Sequence, residues 1–229
     1  MYQPLIVLAT ILITLLAYWI GRSLFARFRH PLVNVILIST SIVIAFLIVA
    51  ELPYQAYVPG MKIMTYFLGP ATVALAVPVY KNRHLLKQYA VSIAAGVIFG
   101  SLLSMATAML IAKWGGLSAI VIASIAPKSA TIPFAVEVAR LAGGDPSLAA
   151  AFVVATGTFG SVFGLILLNK FAVCDPSVRG LAMGMVCHGQ GVAMSLTEGE
   201  QQGSMAGVSM ALTGVFTALV APWIIRCFL

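Results

Sequence analysis

The stretch 124–140, SIAPKSATIPFAVEVAR, places a lysine and a glutamate inside sequence that otherwise resembles a membrane span. Lys128 lies between Pro127 and Pro133. An ionised side chain is costly in hydrocarbon, so an intramembrane lysine is by default a functional-site hypothesis. Two prolines interrupt helical hydrogen bonds, and membrane proteins tolerate such breaks mainly where the backbone lines a cavity. The stretch therefore predicts a broken helix beside a binding site for a small anion.

The composition is that of an all-α integral membrane protein. Of the 229 residues, 61% are hydrophobic and only 8% are charged, whereas a soluble domain is about 25% charged. The net charge of +7 comes from Lys and Arg residues that are spread through short loops, which does not indicate nucleic-acid binding. The three cysteines are scattered without metal-ligand spacing. We therefore expect a protein of the lipid bilayer without a metal or cofactor, and a secreted soluble enzyme is excluded.

Apolar runs predict seven or eight transmembrane segments, because a helix of about 20 residues crosses the hydrocarbon core. The predicted segments are 4–20, 32–52, 64–80, 89–112, 117–139, 148–168, 180–196 and 204–225. Segments 117–139 and 180–196 can each be re-entrant rather than spanning. We interpret 1–229 as a single transmembrane domain, with two N-terminal spans in 1–63 and a core of broken helices in 64–225.

The basic residues predict an orientation in the membrane, because inner loops carry an excess of Lys and Arg. With the N-terminus outside, the inner loops hold the larger basic set: Arg22, Arg27, Arg29, Lys81, Arg83, Lys87 and Arg140. The outer loops then hold Lys62, Lys113, Lys170 and Arg179. The distribution favours an N-terminus outside the cell.

Two proline-interrupted segments resemble each other. Leu-Gly-Pro-Ala-Thr at 68–72 is followed by Pro78, and Ile-Ala-Pro-Lys-Ser at 125–129 is followed by Pro133. Paired interrupted segments in matching positions of two halves indicate a transporter binding site. The pattern predicts an internal repeat with helix breaks at Pro70, Pro78, Pro127 and Pro133. Chance similarity remains an alternative, because Gly, Ala and Pro are common in such spans.

Lys128 is the first candidate for anion binding. Proline is favoured at the first position of a helix, so Pro127 predicts that Lys128 lies near the start of a half-helix. Free N–H groups at such a start attract anions, and Ser129 and Thr131 add hydroxyl donors. The alternative is that the lysine snorkels to the headgroups. Its place about halfway along 117–139 argues against that alternative.

Glu137 is a candidate counter-ion for Lys128, but Arg140 is the better-placed partner. In a continuous helix nine residues separate Glu137 from Lys128 by about 13 Å along the axis and leave them on opposite faces. They meet only if Pro133 bends the segment sharply. Arg140 follows Glu137 by three residues and lies on the same face. We therefore expect a Glu137–Arg140 ion pair, with Lys128 lacking a local counter-ion.

His188 and Gln190 are polar residues within the apolar segment 180–196. Histidine titrates near neutrality, which suits proton coupling, although a hydrogen-bonded packing histidine is equally consistent with the residue type. A hydrolase is a further reading, since Lys128 and Ser129 could form a dyad. Adjacent helical residues do not face each other, whereas a nucleophile and its base must be within hydrogen-bond reach. We therefore expect no enzyme and no catalytic residue.

Three blocks of the sequence resemble the LrgB/CidB family: LGPATVALAVPVYKN at 68–82, APKSATIPFAVEVA at 126–139 and RGLAMGMVCHGQG at 179–191. The resemblance implies a multi-pass protein of the bacterial inner membrane that works beside a small holin-like LrgA/CidA subunit. Bacterial members are described as antiholin-like modulators of murein hydrolase export and cell lysis. Others resemble carriers of small monocarboxylates such as pyruvate, and a plastid relative exports glycolate and imports glycerate.

The chain departs from the family pattern at two places. Gln190 stands in a Gly-Gln-Gly run where the family typically has Gly-Thr-Ala and a basic residue, and Ile132 replaces a threonine. Lys128 would then carry more of the anion binding alone. We expect a small carboxylate to contact Lys128, Ser129, Thr131, Thr72, His188 and Gln190. The leading expectation is a homo-oligomeric secondary transporter of small monocarboxylates, and the alternative is an antiholin-like regulator bound to a holin-like subunit.

Overall fold

The computed structural model describes residues 3–28, 35–67, 70, 73, 80–81 and 83–229, and most of these residues are in helices. The helices are α1 (Gln3–Phe28), α2 (Val35–Val49), α3 (Tyr54–Tyr66), α4 (Arg83–Gln88), α5 (Ala90–Trp114), α6 (Ala119–Ile125), α7 (Ile132–Leu141), α8 (Pro146–Lys170), α9 (Pro176–Glu198) and α10 (Glu200–Phe228). Four of the described helices, α1, α5, α8 and α10, are long and apolar enough to cross a membrane. The helical membrane class is confirmed.

The predicted count of seven or eight spans and the predicted repeat are not confirmed. Thr72 and Pro78 lie outside the described residues, as do the neighbours of Pro70. The first of the two similar segments therefore falls mostly outside the part of the chain that the structure describes.

The chain divides into two compact units, residues 1–76 and 77–229. In the first unit α1 packs against α2 and α3. The Thr14 hydroxyl lies 3.0 Å from the Tyr57 hydroxyl, and Ser39 donates to the Ala17 carbonyl at 3.1 Å. The stretch between the predicted spans 32–52 and 64–80 is helical from Tyr54 onward and includes Pro59. Packing of Tyr57 and Gly60 on α1 overrides the local turn signals there.

In the second unit, α5 and α10 run side by side in the same direction. Val97 of α5 packs in one cluster with Met205 of α10. Three turns further along α5, Met109 packs in another cluster with Ile225 of α10. The contacts advance together along both helices, which is possible only if the helices are parallel.

The predicted span 117–139 folds back on itself. The Asp145 N–H donates to Ser124 Oγ at 2.8 Å, whereas these residues would be about 31 Å apart along a straight helix. Val138 of α7 packs in the same cluster as Ile122 of α6. The helix stops after Ile125, as Pro127 and Pro133 predict, and the chain then runs back beside α6 as α7. We call residues 119–141 hairpin 1; of the two interpretations of this segment, the structure has the re-entrant one.

The predicted span 180–196 also folds back, at His188. This residue has non-helical dihedral angles, φ 42° and ψ −129°, which divide α9 into arms 176–187 and 189–198. Arg179 of the first arm donates to Glu198 of the second, from Nε at 3.0 Å and also from Nη2. Gly191 lies against the Met183 carbonyl, and a Cβ there would collide with it. We call residues 176–198 hairpin 2; each arm is only about 15–18 Å long.

Helices α8 and α9 begin with the same three residues, Asp-Pro-Ser. Asp145 caps α8 by accepting from the Leu148 N–H at 2.8 Å. Asp175 caps α9 by accepting from the N–H groups of Ser177 and Val178. Aspartate is a preferred cap, and proline suits the first helical position because its missing N–H is not needed there. These local signals fix where both helices start.

Glycines set the contact between α8 and the first arm of hairpin 2. A Cβ at Gly160 would meet Cys187, and one at Gly164 would meet Met183. Because residue numbers rise along α8 from one contact to the next while they fall along the arm, the two elements are antiparallel. The Gly-x-x-x-Gly spacing in α8 is thus a packing seam, as small residues at this spacing typically are in membrane helices. In the corresponding spacing of α5, Gly100 lies against Met185 of hairpin 2, whereas Gly96 faces open space.

The first arm of hairpin 2 runs parallel to α10. Gly180 lies against the Gln202 backbone, and Gly184 lies against the Ala206 carbonyl. Since α8 is antiparallel to this arm, it is also antiparallel to α10 and α5. The second unit is therefore built from three long helices of alternating direction, with a short hairpin inserted after each of the first two.

Candidate functional site

Lys128 lies in the unwound turn of hairpin 1, between α6 and α7. Its N–H donates to the Ile125 carbonyl at 3.1 Å. The predicted half-helix starting at Pro127 is therefore wrong. The half-helix begins at Ile132, with Thr131 as the N-cap residue and Pro133 in its first turn. Pro133, rather than Pro127, is the proline favoured at a helix start. The Thr131 hydroxyl makes no capping hydrogen bond.

The Lys128 ammonium is held by two hydroxyl groups. Its Nζ donates to Ser104 Oγ at 2.9 Å and to Ser129 Oγ at 3.2 Å, and the two hydroxyls lie 2.9 Å apart. Sequence reasoning missed Ser104, a hydroxyl residue near the middle of α5. It also held that adjacent Lys128 and Ser129 side chains do not meet. That argument assumed a helix and is wrong here, because the segment is unwound.

The contact with Ser104 places Lys128 deep in the membrane. Ser104 is 14 residues from Ala90 and 10 from Trp114, the ends of α5. These spacings correspond to about 21 Å and 15 Å along the helix. A lysine bonded at this depth does not snorkel to the headgroups.

No carboxylate compensates this charge among the residues that the structure describes. The ion pairs found there are Arg140–Glu137 and Arg179–Glu198. Arg140 donates to Glu137 at 3.0 and 2.6 Å on an exposed surface. An ammonium group has three N–H donors, and two of those on Lys128 are used by the serines. The third remains for a ligand.

The turn of hairpin 2 presents His188, Cys187 and Gln190. His188 is buried, and its Nε2 lies 3.0 Å from the Val153 carbonyl oxygen of α8. Its φ of 42° is an unusual backbone conformation for a residue other than glycine, and such strain concentrates at functional sites. The Gln190 amide faces α8, where it lies 3.4 Å from the Thr158 hydroxyl.

A cavity of about 580 Å³ lies between the two hairpin turns and α8. Lys128 of hairpin 1 and Cys187 of hairpin 2 both line it, as does Gly160 of α8. Lys128 is the charged residue in this lining, and most of the wall is aliphatic or aromatic. The cavity thus combines a single positive group with an apolar interior.

The ends of hairpin 2 are tied by a largely buried ion pair. The side chains of Arg179 and Glu198 are 11% and 22% exposed. Arg179 also donates to the Val173 carbonyl at 2.9 Å. It lies in the first turn of α9, outside the four long apolar helices. The hydrogen bond accepted by Glu198 raises the pKa of the Arg179 guanidinium, so Arg179 stays charged.

Comparison with known proteins identifies the family. The family model described as "LrgB-like family" matches residues 14–227. This chain belongs to the LrgB-like family. No solved structure matches it.

The LrgB-like chain is similar over nearly its whole length to bacterial proteins. It is 32% identical to the uncharacterized protein YwbG of Bacillus subtilis, covering 95% of this chain and 97% of the relative. It is 33% identical to YxaC of the same organism, covering 100% and 99%. It is 32% identical to the antiholin-like protein LrgB of Bacillus mycoides, covering 93% of each.

The predicted site residues of this LrgB-like chain divide into three groups. Lys128 and Ser129 are in contact, together with Ser104. His188 and Gln190 of hairpin 2 both lie against Gly157 of α8. Thr131 is the N-cap residue of α7 and makes no capping hydrogen bond, and Thr72 lies outside the described residues.

Proposed function

We propose that this protein is a secondary transporter of small monocarboxylates, anions resembling pyruvate, glycolate or glycerate. The observation that carries the proposal is Lys128, a cation at mid-depth with no carboxylate partner in the described part of the chain. An isolated buried charge is costly, and a carboxylate would compensate it. The free-energy cost of keeping such a lysine inside the membrane is explained most simply if the lysine binds an anion.

The two hairpins provide a route for alternating access. Substrate sites of secondary transporters typically lie near the midplane at discontinuous helices, and transport follows from movement of one bundle against another. In the proposed mechanism Lys128 binds the carboxylate, while Ser129 and Ser104 hold the ammonium in place. Thr131, Thr72, His188 and Gln190 orient the substrate or mediate coupling. No catalysis is involved.

The test is uptake of labelled pyruvate or glycolate into proteoliposomes that contain this chain alone. Lys128→Ala removes the charge and should abolish uptake, because the carboxylate then enters an apolar site unpaired. Lys170→Ala is the matched control, since Lys170 is exposed at the end of α8. The site assignment fails if Lys128→Ala transports as well as the unaltered protein.

A second candidate function is supported by the name of one relative, the antiholin-like protein LrgB. In that role the chain would bind a holin-like LrgA/CidA subunit and regulate murein hydrolase export and cell lysis. Absence of flux with any two- or three-carbon acid, together with stable co-purification with a holin-like subunit, would favour this function over transport.

The proposed setting is the bacterial inner membrane, with the N-terminus outside and the chain assembled as a homo-oligomer. The basic residues near α4 support the orientation, since Lys81, Arg83 and Lys87 cluster beside the start of α5. Crosslinking in native membranes would test the oligomer.

A further inference from the structure

The walls of the cavity are strongly apolar around its single charge. Four phenylalanines line it: Phe152, Phe159, Phe163 and Phe171. Phe159 and Phe163 stack with their ring centroids 6.3 Å apart. The polar side chains of the lining are Lys128, Cys187 and Thr156, and of these Thr156 carries a hydroxyl group.

This wall is poorly matched to hydroxylated acids. A hydroxyl group buried without a hydrogen-bond partner is unfavourable, and the phenylalanines offer no such partner. Each methylene placed against an apolar wall is instead favourable by about 0.8 kcal/mol. The cavity volume of about 580 Å³ is within the range of pockets that hold drug-sized ligands, which is far larger than a two-carbon acid requires.

We infer that the preferred ligand is a monocarboxylate with an unbranched apolar chain, such as octanoate. Its carboxylate binds the free N–H of Lys128, and its chain lies along Phe152, Phe159 and Phe163. This inference rests on the proposed carboxylate site at Lys128, and among monocarboxylates it ranks acids with an apolar chain above hydroxylated acids such as glycolate.

The cavity is also reached from a surface that suits such a ligand. Phe159 is 66% exposed and Phe171 is 73% exposed, although both line the cavity. In a membrane these side chains face lipid. An amphipathic acid dissolves in the bilayer, so it can reach the cavity from the lipid, between α8 and hairpin 2.

The first measurement is competition against labelled pyruvate uptake by butyrate, hexanoate and octanoate. The half-maximal concentration should fall by up to about fourfold for each added methylene, the effect of burying that group. Octanamide has the same chain without the charge and should compete at least tenfold less well. Glycolate should be weaker than butyrate.

The second measurement does not depend on transport. Octanoate should stabilise the detergent-solubilised protein against heat, because a ligand that binds the native state raises its stability. Lys128→Ala should lose this effect. Ala155→Phe adds a ring to the cavity lining and should weaken octanoate binding at least tenfold. Ala151→Phe, one turn earlier on the exposed face of α8, is the control.

Three results would overturn this inference. If pyruvate uptake depends on Lys128 but octanoate neither competes nor stabilises, the proposed function stands and the chain preference is wrong. If Ala155→Phe and Ala151→Phe bind octanoate equally, the acid does not occupy the cavity. If a phospholipid co-purifies and octanoate does not displace it, the groove is a lipid site. Loss of uptake for every acid would instead refute the proposed function.

Discussion

Lys128 is an ammonium group that the protein holds in position without neutralising it. Ser104 and Ser129 accept its hydrogen bonds at 2.9 and 3.2 Å, but a hydroxyl provides no negative charge. Both serines are held in turn, since their own hydroxyls lie 2.9 Å apart. The arrangement fixes the direction of the lysine and leaves its charge available to a ligand.

We predict that Ser104→Ala impairs transport of the carboxylate. A hydrogen bond to a charged group contributes about 1.5–3 kcal/mol, and here it orients the ammonium. We therefore expect KM to rise roughly tenfold, since about 1.4 kcal/mol corresponds to a factor of ten. Proteoliposome uptake measures this.

Thr107→Ala is the matched control for Ser104→Ala. Thr107 lies one turn further along α5, is exposed, and donates to the carbonyls of Leu103 and Ser104 of its own helix. The Thr107→Ala variant should transport the carboxylate with an unchanged KM. Equal KM values for the two variants would show that Ser104 does not position the lysine.

The residue-scale predictions succeeded where the interaction was local in sequence. The three-residue spacing of Glu137 and Arg140 brings them together on any helix, and the structure pairs them. Lys128 stood out because a charge is rare in apolar sequence. Ser104 could not be found in the same way, because its contact spans 24 residues and depends on how hairpin 1 folds back against α5.

The two hairpins are the elements that bring the site together. Hairpin 1 turns at a proline-rich stretch, whereas hairpin 2 turns at His188 without any proline. Its arms approach closely because Gly191 has no side chain to collide with Met183. At the opposite end, Arg179 and Glu198 close the hairpin.

We predict that Arg179→Gln destabilises the protein by weakening this closure. Glu198 would be left largely buried without its partner, and removing one member of a buried pair costs about 3–5 kcal/mol. The melting temperature of the solubilised protein should fall clearly, which thermal unfolding followed by size exclusion would detect.

Arg140→Gln is the comparison for Arg179→Gln, because it breaks the other ion pair of the second unit. The side chains of Arg140 and Glu137 are 63% and 53% exposed, and exposed pairs contribute little. The melting temperature of the Arg140→Gln variant should barely change. Similar losses in both variants would mean that the Arg179 clamp has no special role.

Helix positions were largely predictable, and helix reversals were not. The segments 89–112, 148–168 and 204–225 match α5, α8 and α10 within a few residues, because long apolar runs and the Asp-Pro starts are local signals. Whether 117–139 and 180–196 cross or return depends on contacts such as Ser124 with Asp145. A crossing segment and a segment that folds back have the same hydropathy, so the sequence does not distinguish between them.

At the scale of the whole molecule, the hairpins change which basic residues share a membrane face. Because hairpin 1 returns, α8 starts on the face where α5 ends, and Arg140 lies there too. Lys170 and Arg179 then lie on the face where α5 begins, together with Arg83 and Lys87. If every predicted segment crossed, Arg140 would be on the same face as Arg83, and Lys170 and Arg179 would be opposite.

The native cysteines distinguish these two arrangements. Cys174 is exposed in the loop between α8 and α9, Cys227 is exposed near the end of α10, and Cys187 is buried. With the hairpins, the face carrying Arg83 and Lys87 should be cytoplasmic by its excess of basic residues. Cys174 should then be cytoplasmic and Cys227 external, whereas eight crossings would place both outside.

We therefore predict that a membrane-impermeant maleimide labels Cys227 in intact cells and labels Cys174 only in inverted vesicles. The variants Cys174→Ser and Cys227→Ser leave one exposed thiol each, so the two signals can be assigned separately. Cys187 should react only after denaturation, which gives an internal control for leakage. Labelling of both exposed cysteines from outside would mean that α8 starts on the cytoplasmic face, and the return of hairpin 1 would then be refuted.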